Sequence, residues 1–126
     1  MKKIILTDKA PKPIGPYSQA VQAGPFLYCS GQIPLSPETN EVVSQEIGPQ
    51  AEQVMKNIQA VLQAAGVGFE NIVKTTIFLI DMKDFATVNE IYGKYFSKDH
   101  PARSTIAVQA LPKGVKVEVE VVAYRP

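Results

Sequence analysis

The chain has 126 residues, 45% of them hydrophobic, enough for one core and too few for two. Its 13 basic and 12 acidic residues leave a net charge of +1 and are scattered rather than gathered into a stripe, so no nucleic-acid footprint is visible. The lone Cys29 cannot form an internal disulfide, the Met1–Leu6 start meets Thr7-Asp8-Lys9 before a signal-length apolar run develops, and nothing nears the roughly 20 residues needed to cross a bilayer. These features predict one soluble, cytoplasmic domain over residues 1–126.

Residues 2 to 6 read as a short strand, followed by Pro11, Pro13 and Pro16, which remove backbone donors and keep the chain irregular through the Ile14-Gly15-Pro16-Tyr17-Ser18 loop. Gln19 to Ala23 and Phe26 to Ser30 flank Gly24-Pro25 as a hairpin, with Gly31 ending its second strand. Gln32 to Glu46 is a loop, with a brief strand at Val42-Val43. Pro49 fits the first turn of a helix, and Val54, Ile58, Val61, Leu62 and Ala65 recur at helical spacing until Gly66 stops it.

Ile72 to Ile80 is rich in β-branched residues and, after Lys74, apolar on both parities, which predicts a strand covered on both faces. Asp84 is placed to cap a second helix with Phe85, Val88, Tyr92 and Tyr95 as its buried stripe, ending near Ser97. Thr105 to Gln109 and Val115 to Tyr124 complete the chain as two strands joined by the Leu111-Pro112-Lys113-Gly114 turn. This order predicts an α+β sandwich, a mixed sheet with both helices on one face. The opposite face needs a cover that so short a chain does not supply, so a homo-oligomer is expected.

In the last strand Val115, Val117, Val119 and Val121 point one way, and Lys116, Glu118, Glu120 and Val122 the other. On the residues alone, Glu118 and Glu120 read first as the polar outer face of a half-solvated sheet, and Arg103 as an ion-pair partner. The chemical alternative is that Arg103 grips a planar carboxylate through two parallel hydrogen bonds while a glutamate orients and deprotonates water. Other chemistry lacks its parts. One His and one Cys give no metal cluster, His100 beside Pro101 has no nucleophile elbow to serve, and Gly66-Val67-Gly68 follows a helix instead of opening one.

Pro101-Ala102-Arg103-Ser104 followed by Val117-Glu118-Val119-Glu120 resembles the C-terminal signature of the RidA family, also called the YjgF or imine deaminase family. Similar stretches span nearly the whole chain: Ile14 to Ser18, Ser30-Gly31-Gln32-Ile33-Pro34, Val73-Lys74-Thr75-Thr76 and Phe85-Ala86-Thr87-Val88-Asn89. The resemblance implies a chorismate-mutase-like fold and a homotrimer with three inter-subunit clefts. It implies that Arg103 holds the substrate carboxylate and Glu118 positions the attacking water, with Tyr17, Ser30, Gly31, Asn89 and Thr105 around the pocket. Glu120 is assigned to structure. Three positions depart from the family pattern: Thr105 where many relatives have cysteine, Ala107 where many have glutamate, and Gln109-Ala110 where alanine-arginine is common.

The expected function is therefore hydrolysis of 2-aminoacrylate- or 2-aminocrotonate-type enamines and imines to 2-keto acids and ammonia, with no cofactor or metal. Two rivals are a non-catalytic module that senses 2-keto acids and an endoribonuclease or translation inhibitor.

Overall fold

A computed structural model describes all residues, 1–126. Eight main elements follow in chain order: β1 (Lys3–Ile5), β2 (Ala20–Ala23), β3 (Phe26–Gln32), α1 (Ile47–Ala64), β4 (Ile72–Leu79), α2 (Phe85–Gly93), β5 (Ala102–Ala107) and β6 (Val117–Tyr124). The strands form one six-stranded sheet in the order β1-β2-β3-β6-β4-β5. All neighbours are antiparallel except β4 and β5, which are parallel and joined through α2. Strand β6, last in sequence, enters the gap between β3 and β4 and becomes the centre of the sheet. The α+β reading with a mixed sheet is what the chain adopts.

Alternation along β6 decides which face is sealed. Val117, Val119, Val121 and Ala123 are buried against the helices, whereas Glu118, Glu120, Val122 and Tyr124 turn to the open face. Val54, Ile58, Val61 and Leu62 of α1 pack on them together with Leu27, Ile77 and Leu79. Each such side chain contributes about 1.5–3 kcal/mol by leaving water. Truncating fully buried Leu62 or Ile77 to alanine would cost about 2–5 kcal/mol.

Helix α1 ends in a Schellman motif: Gly66 takes φ 77°, the Val67 N–H donates to Leu62 O and the Gly66 N–H to Gln63 O, both at 3.0 Å. Arg125 Nη1 donates to Ala65 O at 2.9 Å and satisfies another terminal carbonyl. Buried amides tie the irregular segments down, a role the sequence reading did not foresee. Gln19 Nε2 donates to Thr7 O and Pro11 O, Asn57 Nδ2 to Leu35 O, and Gln50 links Ser44 O to the Lys116 N–H.

Several boundaries differ from expectation. Strand β3 continues through Gly31 to Gln32, because a bulge between Cys29 and Gln32 re-aims the strand instead of ending it. The Val42-Val43 strand is a single bridge between Leu35 and Val42. Asp84 makes no side-chain cap; Asp81, one turn earlier, accepts from the Lys83 N–H at 2.9 Å and caps a short 3-10 turn that leads into α2. Helix α2 ends at Gly93 rather than near Ser97, and its buried side chains are Val88, Ile91 and Tyr92. Tyr95 lies beyond the helix end, packs partly buried against the core and donates its hydroxyl to Glu52 Oε1 at 2.7 Å, and burial, with Glu52 beside it, pushes its pKa up to about 12. Strand β5 starts at Ala102 and stops at Ala107, so Arg103 lies inside a strand and not in the loop before one.

Neither helix is long and apolar enough to cross a membrane.

Candidate active site

Arg103 projects from the edge strand β5. Its register partner on β4 is Thr75, which is sealed beneath α2, so Arg103 emerges on the helix side of the sheet. Three α2 side chains meet it. Asn89 Oδ1 accepts a hydrogen bond from Nη1 at 2.7 Å, and the guanidinium carbon lies 5.5 Å from the centre of the Phe85 ring and 5.1 Å from that of Tyr92. Phe85, Asn89 and Tyr92 stand at helical spacing on one face, which the local sequence gives through its i, i+4, i+7 pattern. Tyr92 shares a 2.8 Å hydrogen bond with Thr75 Oγ1, and burial raises its pKa against the lowering effects of that bond and of Arg103. Two residues beyond Arg103 on the same parity, Thr105 has its Oγ1 buried without a hydrogen-bond partner.

The other candidate residues assemble on the opposite face. Glu118 stands in register with Phe78 and points away from the helices. It lies against Gly31, where an added Cβ would come within 2.9 Å of the Glu118 carboxyl carbon and closer still to its oxygen. Any side chain at Gly31 would therefore displace the carboxylate. The bulge in β3 brings this glycine to Glu118: Cys29 pairs with Val121 and Gln32 with Val119, three steps on one strand against two on the other.

Half-burial raises the pKa of Glu118, and the neighbouring Glu120 charge raises it further. Glu120 itself is exposed beside Lys74 and Thr76. Ser30 donates its hydroxyl to Ser18 O at 2.6 Å, and its N–H to Gln19 O at 2.9 Å, which pins the 14–18 loop to β3. Tyr17, 54% exposed, accepts a long hydrogen bond from the Ile14 N–H at 3.4 Å. Tyr17 and Gly31 both line a cavity of about 230 Å³ whose walls include Ile33, Leu35 and Pro112.

The candidate residues thus form two groups, Arg103 with Asn89 and Thr105 at the β5 edge and Glu118 against Gly31 on the open face, while Tyr17 reaches Gly31 through the cavity they share and Ser30 pins the loop that carries Tyr17. No contact joins Arg103 to Glu118 within one copy of the chain. Phe85 and Tyr92 are neighbours of Arg103 that a packing stripe alone does not single out. Their helical spacing with Asn89 was the available signal. No three His, Cys, Asp or Glu side chains lie together as a metal site would require.

Comparison with known proteins matches residues 7–125 to the family model described as endoribonuclease L-PSP. The chain is 50% identical over 125 residues to the 2-iminobutanoate/2-iminopropanoate deaminase of Mus musculus, covering 99% of this chain and 93% of that protein. Among solved structures it is similar to RidA from an Antarctic Psychrobacter, with 45% identity, a TM-score of 0.93, and 97% of this chain and 98% of that one covered. It is similar also to E. coli TdcF with bound serine, with 42% identity, a TM-score of 0.94, and 98% and 99% covered.

Proposed function

Since the chain belongs to the YjgF/RidA family, the family of the endoribonuclease L-PSP model, we propose that it is a deaminase that hydrolyses small 2-imino acids to 2-keto acids and ammonia. The observation that carries this reading is the pairing of functions across the sheet: a guanidinium free of any carboxylate on one face, and on the other a half-buried carboxylate whose pKa is raised. The first suits an anionic substrate and the second a general base. The name of the mouse relative, a 2-iminobutanoate/2-iminopropanoate deaminase, supports the same chemistry, and the serine bound in the E. coli neighbour supports a small amino- or imino-acid ligand.

In this mechanism Arg103 binds the substrate carboxylate through two parallel N–H donors. Ionised Glu118 takes a proton from water as the oxygen attacks C2 of the protonated imine, giving a carbinolamine. That proton then passes from Glu118 to the amino group, the C–N bond breaks, and ammonia leaves as the C2 hydroxyl gives its own proton to Glu118 and becomes the keto oxygen. One water is consumed for each ammonia released. The raised pKa keeps Glu118 basic enough to accept the proton, and a positioned base of this kind supplies about 10²–10⁴-fold.

Because Arg103 and Glu118 occupy opposite faces, the proposal requires a second copy of the chain, and a trimer with inter-subunit sites is the assembly proposed. The open face supports packing between copies. Phe26, Tyr28, Ile106 and Tyr124 are between 37% and 51% exposed there, more apolar surface than an isolated sheet face keeps in water.

The test is a coupled assay in which a threonine dehydratase acting on serine or threonine releases the enamine. Purified protein should speed ammonia formation. No acceleration at any concentration, with pyruvate binding retained, would replace the enzyme by a 2-keto acid sensor.

A further inference from the structure

Within one copy of the chain Arg103 is a cation without a counter-ion. The one ion pair in the chain joins Lys83 to Asp81 at 3.7 Å, and no carboxylate approaches the Arg103 guanidinium to salt-bridge distance. The groups of this copy that touch it are all neutral: the Asn89 amide oxygen at 2.7 Å and the faces of Phe85 and Tyr92. Tyr92 is itself fixed by its hydrogen bond to Thr75, and Thr75 is the register partner of Arg103 on the adjacent strand. The ring beneath the guanidinium is therefore anchored to the strand beside the one that carries the arginine. These contacts close a loop from β5 through α2 to β4 and back.

We propose that Phe85, Asn89 and Tyr92 are positioning residues that order the Arg103 fork before any ligand arrives while leaving its charge uncommitted. Aromatic faces and an amide oxygen attract a guanidinium without neutralising it. A carboxylate in the place of Asn89 would hold it more strongly and would occupy the donors that a ligand carboxylate needs. Within the chain only one of the guanidinium's N–H groups is used, by Asn89, so the bidentate edge stays open. A long side chain ordered in advance also loses less rotamer freedom when its ligand binds, which is the advantage of preorganisation.

This proposal rests on Arg103 being the carboxylate grip, and the experiment separates the two. In ligand-free, isotope-labelled protein the Nε–H resonance of Arg103 reports how firmly the guanidinium is held. Phe85→Leu and Tyr92→Leu should speed its exchange with water several-fold, and Tyr92→Phe, which keeps the ring and loses only the Thr75 bond, should lie between them and the parent. Phe85 is only partly buried, so its leucine variant keeps the measurement available if Tyr92→Leu does not fold. Asn89→Asp should do the reverse, slowing Arg103 exchange while weakening pyruvate binding about tenfold or more. Unchanged exchange in the leucine variants would overturn the ordering, and full pyruvate affinity in Asn89→Asp would overturn the uncommitted charge. If Arg103 loosens as expected but the parent does not bind pyruvate, the holder stands and the carboxylate grip falls.

Discussion

Arg103 and Glu118 leave one sheet in opposite directions: Arg103 is in register with Thr75 and Glu118 with Phe78, positions of opposite parity on β4. Paired strands cannot turn one of them over without a register slip that would expose the core valines of β6. A site that uses both must draw them from different copies.

Mixing experiments follow directly. Arg103→Ala and Glu118→Gln should each be inactive, yet refolding the two together in equal amounts should restore about a quarter of parental activity, half the arginines times half the glutamates being intact. Mixed assemblies that form but show no recovery would place both residues in one copy's site and contradict the register.

The assembly should contain three copies in dilute solution. Light scattering reads this directly. A stable monomer at micromolar concentration would remove the cover from the open face and with it the shared site.

Arg103→Lys retains the charge but loses the planar fork and its stacking between Phe85 and Tyr92. Affinity for pyruvate or 2-oxobutyrate should fall by about 2 kcal/mol, roughly 30-fold, at the lower end of the losses seen when a bound charge pair is broken. Calorimetry showing parental affinity would make Arg103 a structural residue.

The pH profile carries the signature of Glu118. In the proposed mechanism its ionised form is the base; burial, and then repulsion from Glu120, raise its pKa, so kcat/KM should climb with pH through a midpoint shifted upward from that of an ordinary carboxylate. Glu120→Gln removes the smaller cause and should move that midpoint down with activity largely kept, whereas Glu118→Gln should lose about 10²–10⁴ in rate. Stability runs the other way. The folded chain holds the Glu118 proton to higher pH than the unfolded chain does, so stability falls as pH rises from the unfolded to the folded pKa, and the cost is complete above it. Glu118→Gln should accordingly melt no lower than the parent at neutral pH, and a pH-independent rate would refute the assignment of Glu118 as base.

Thr105 offers a prediction free of catalysis. Its buried hydroxyl has no partner, and valine supplies the same shape without a desolvated oxygen. Thr105→Val should stabilise the protein by about 1 kcal/mol in urea unfolding. A clear loss of stability instead would mean that the hydroxyl is bonded in the assembled protein.

What the sequence disclosed was the local order. The Val-x-Val-x pattern of β6 placed Glu118 and Glu120 on one face, and Val54 to Leu62 marked the buried stripe of α1, because both follow from the repeat of a single element. Relationships between elements left no such trace. The parallel pairing of β5 on β4 sets the direction of Arg103, yet nothing near Arg103 encodes it, and reading β5 from Thr105 onward missed the strand that carries the arginine. Tyr92 is a core aromatic and Phe85 packs against the core, as the stripe implies; only the position of α2 beside the β5 edge also turns their two ring faces toward a cation. The meeting of Gly31 with Glu118 depends on a bulge that the run Cys29-Ser30-Gly31-Gln32 does not announce.

Burial lifts the Cys29 thiol to a pKa of about 12, so at neutral pH it stays protonated. The one sulfhydryl of the chain is therefore a small packing group against the core and not a nucleophile.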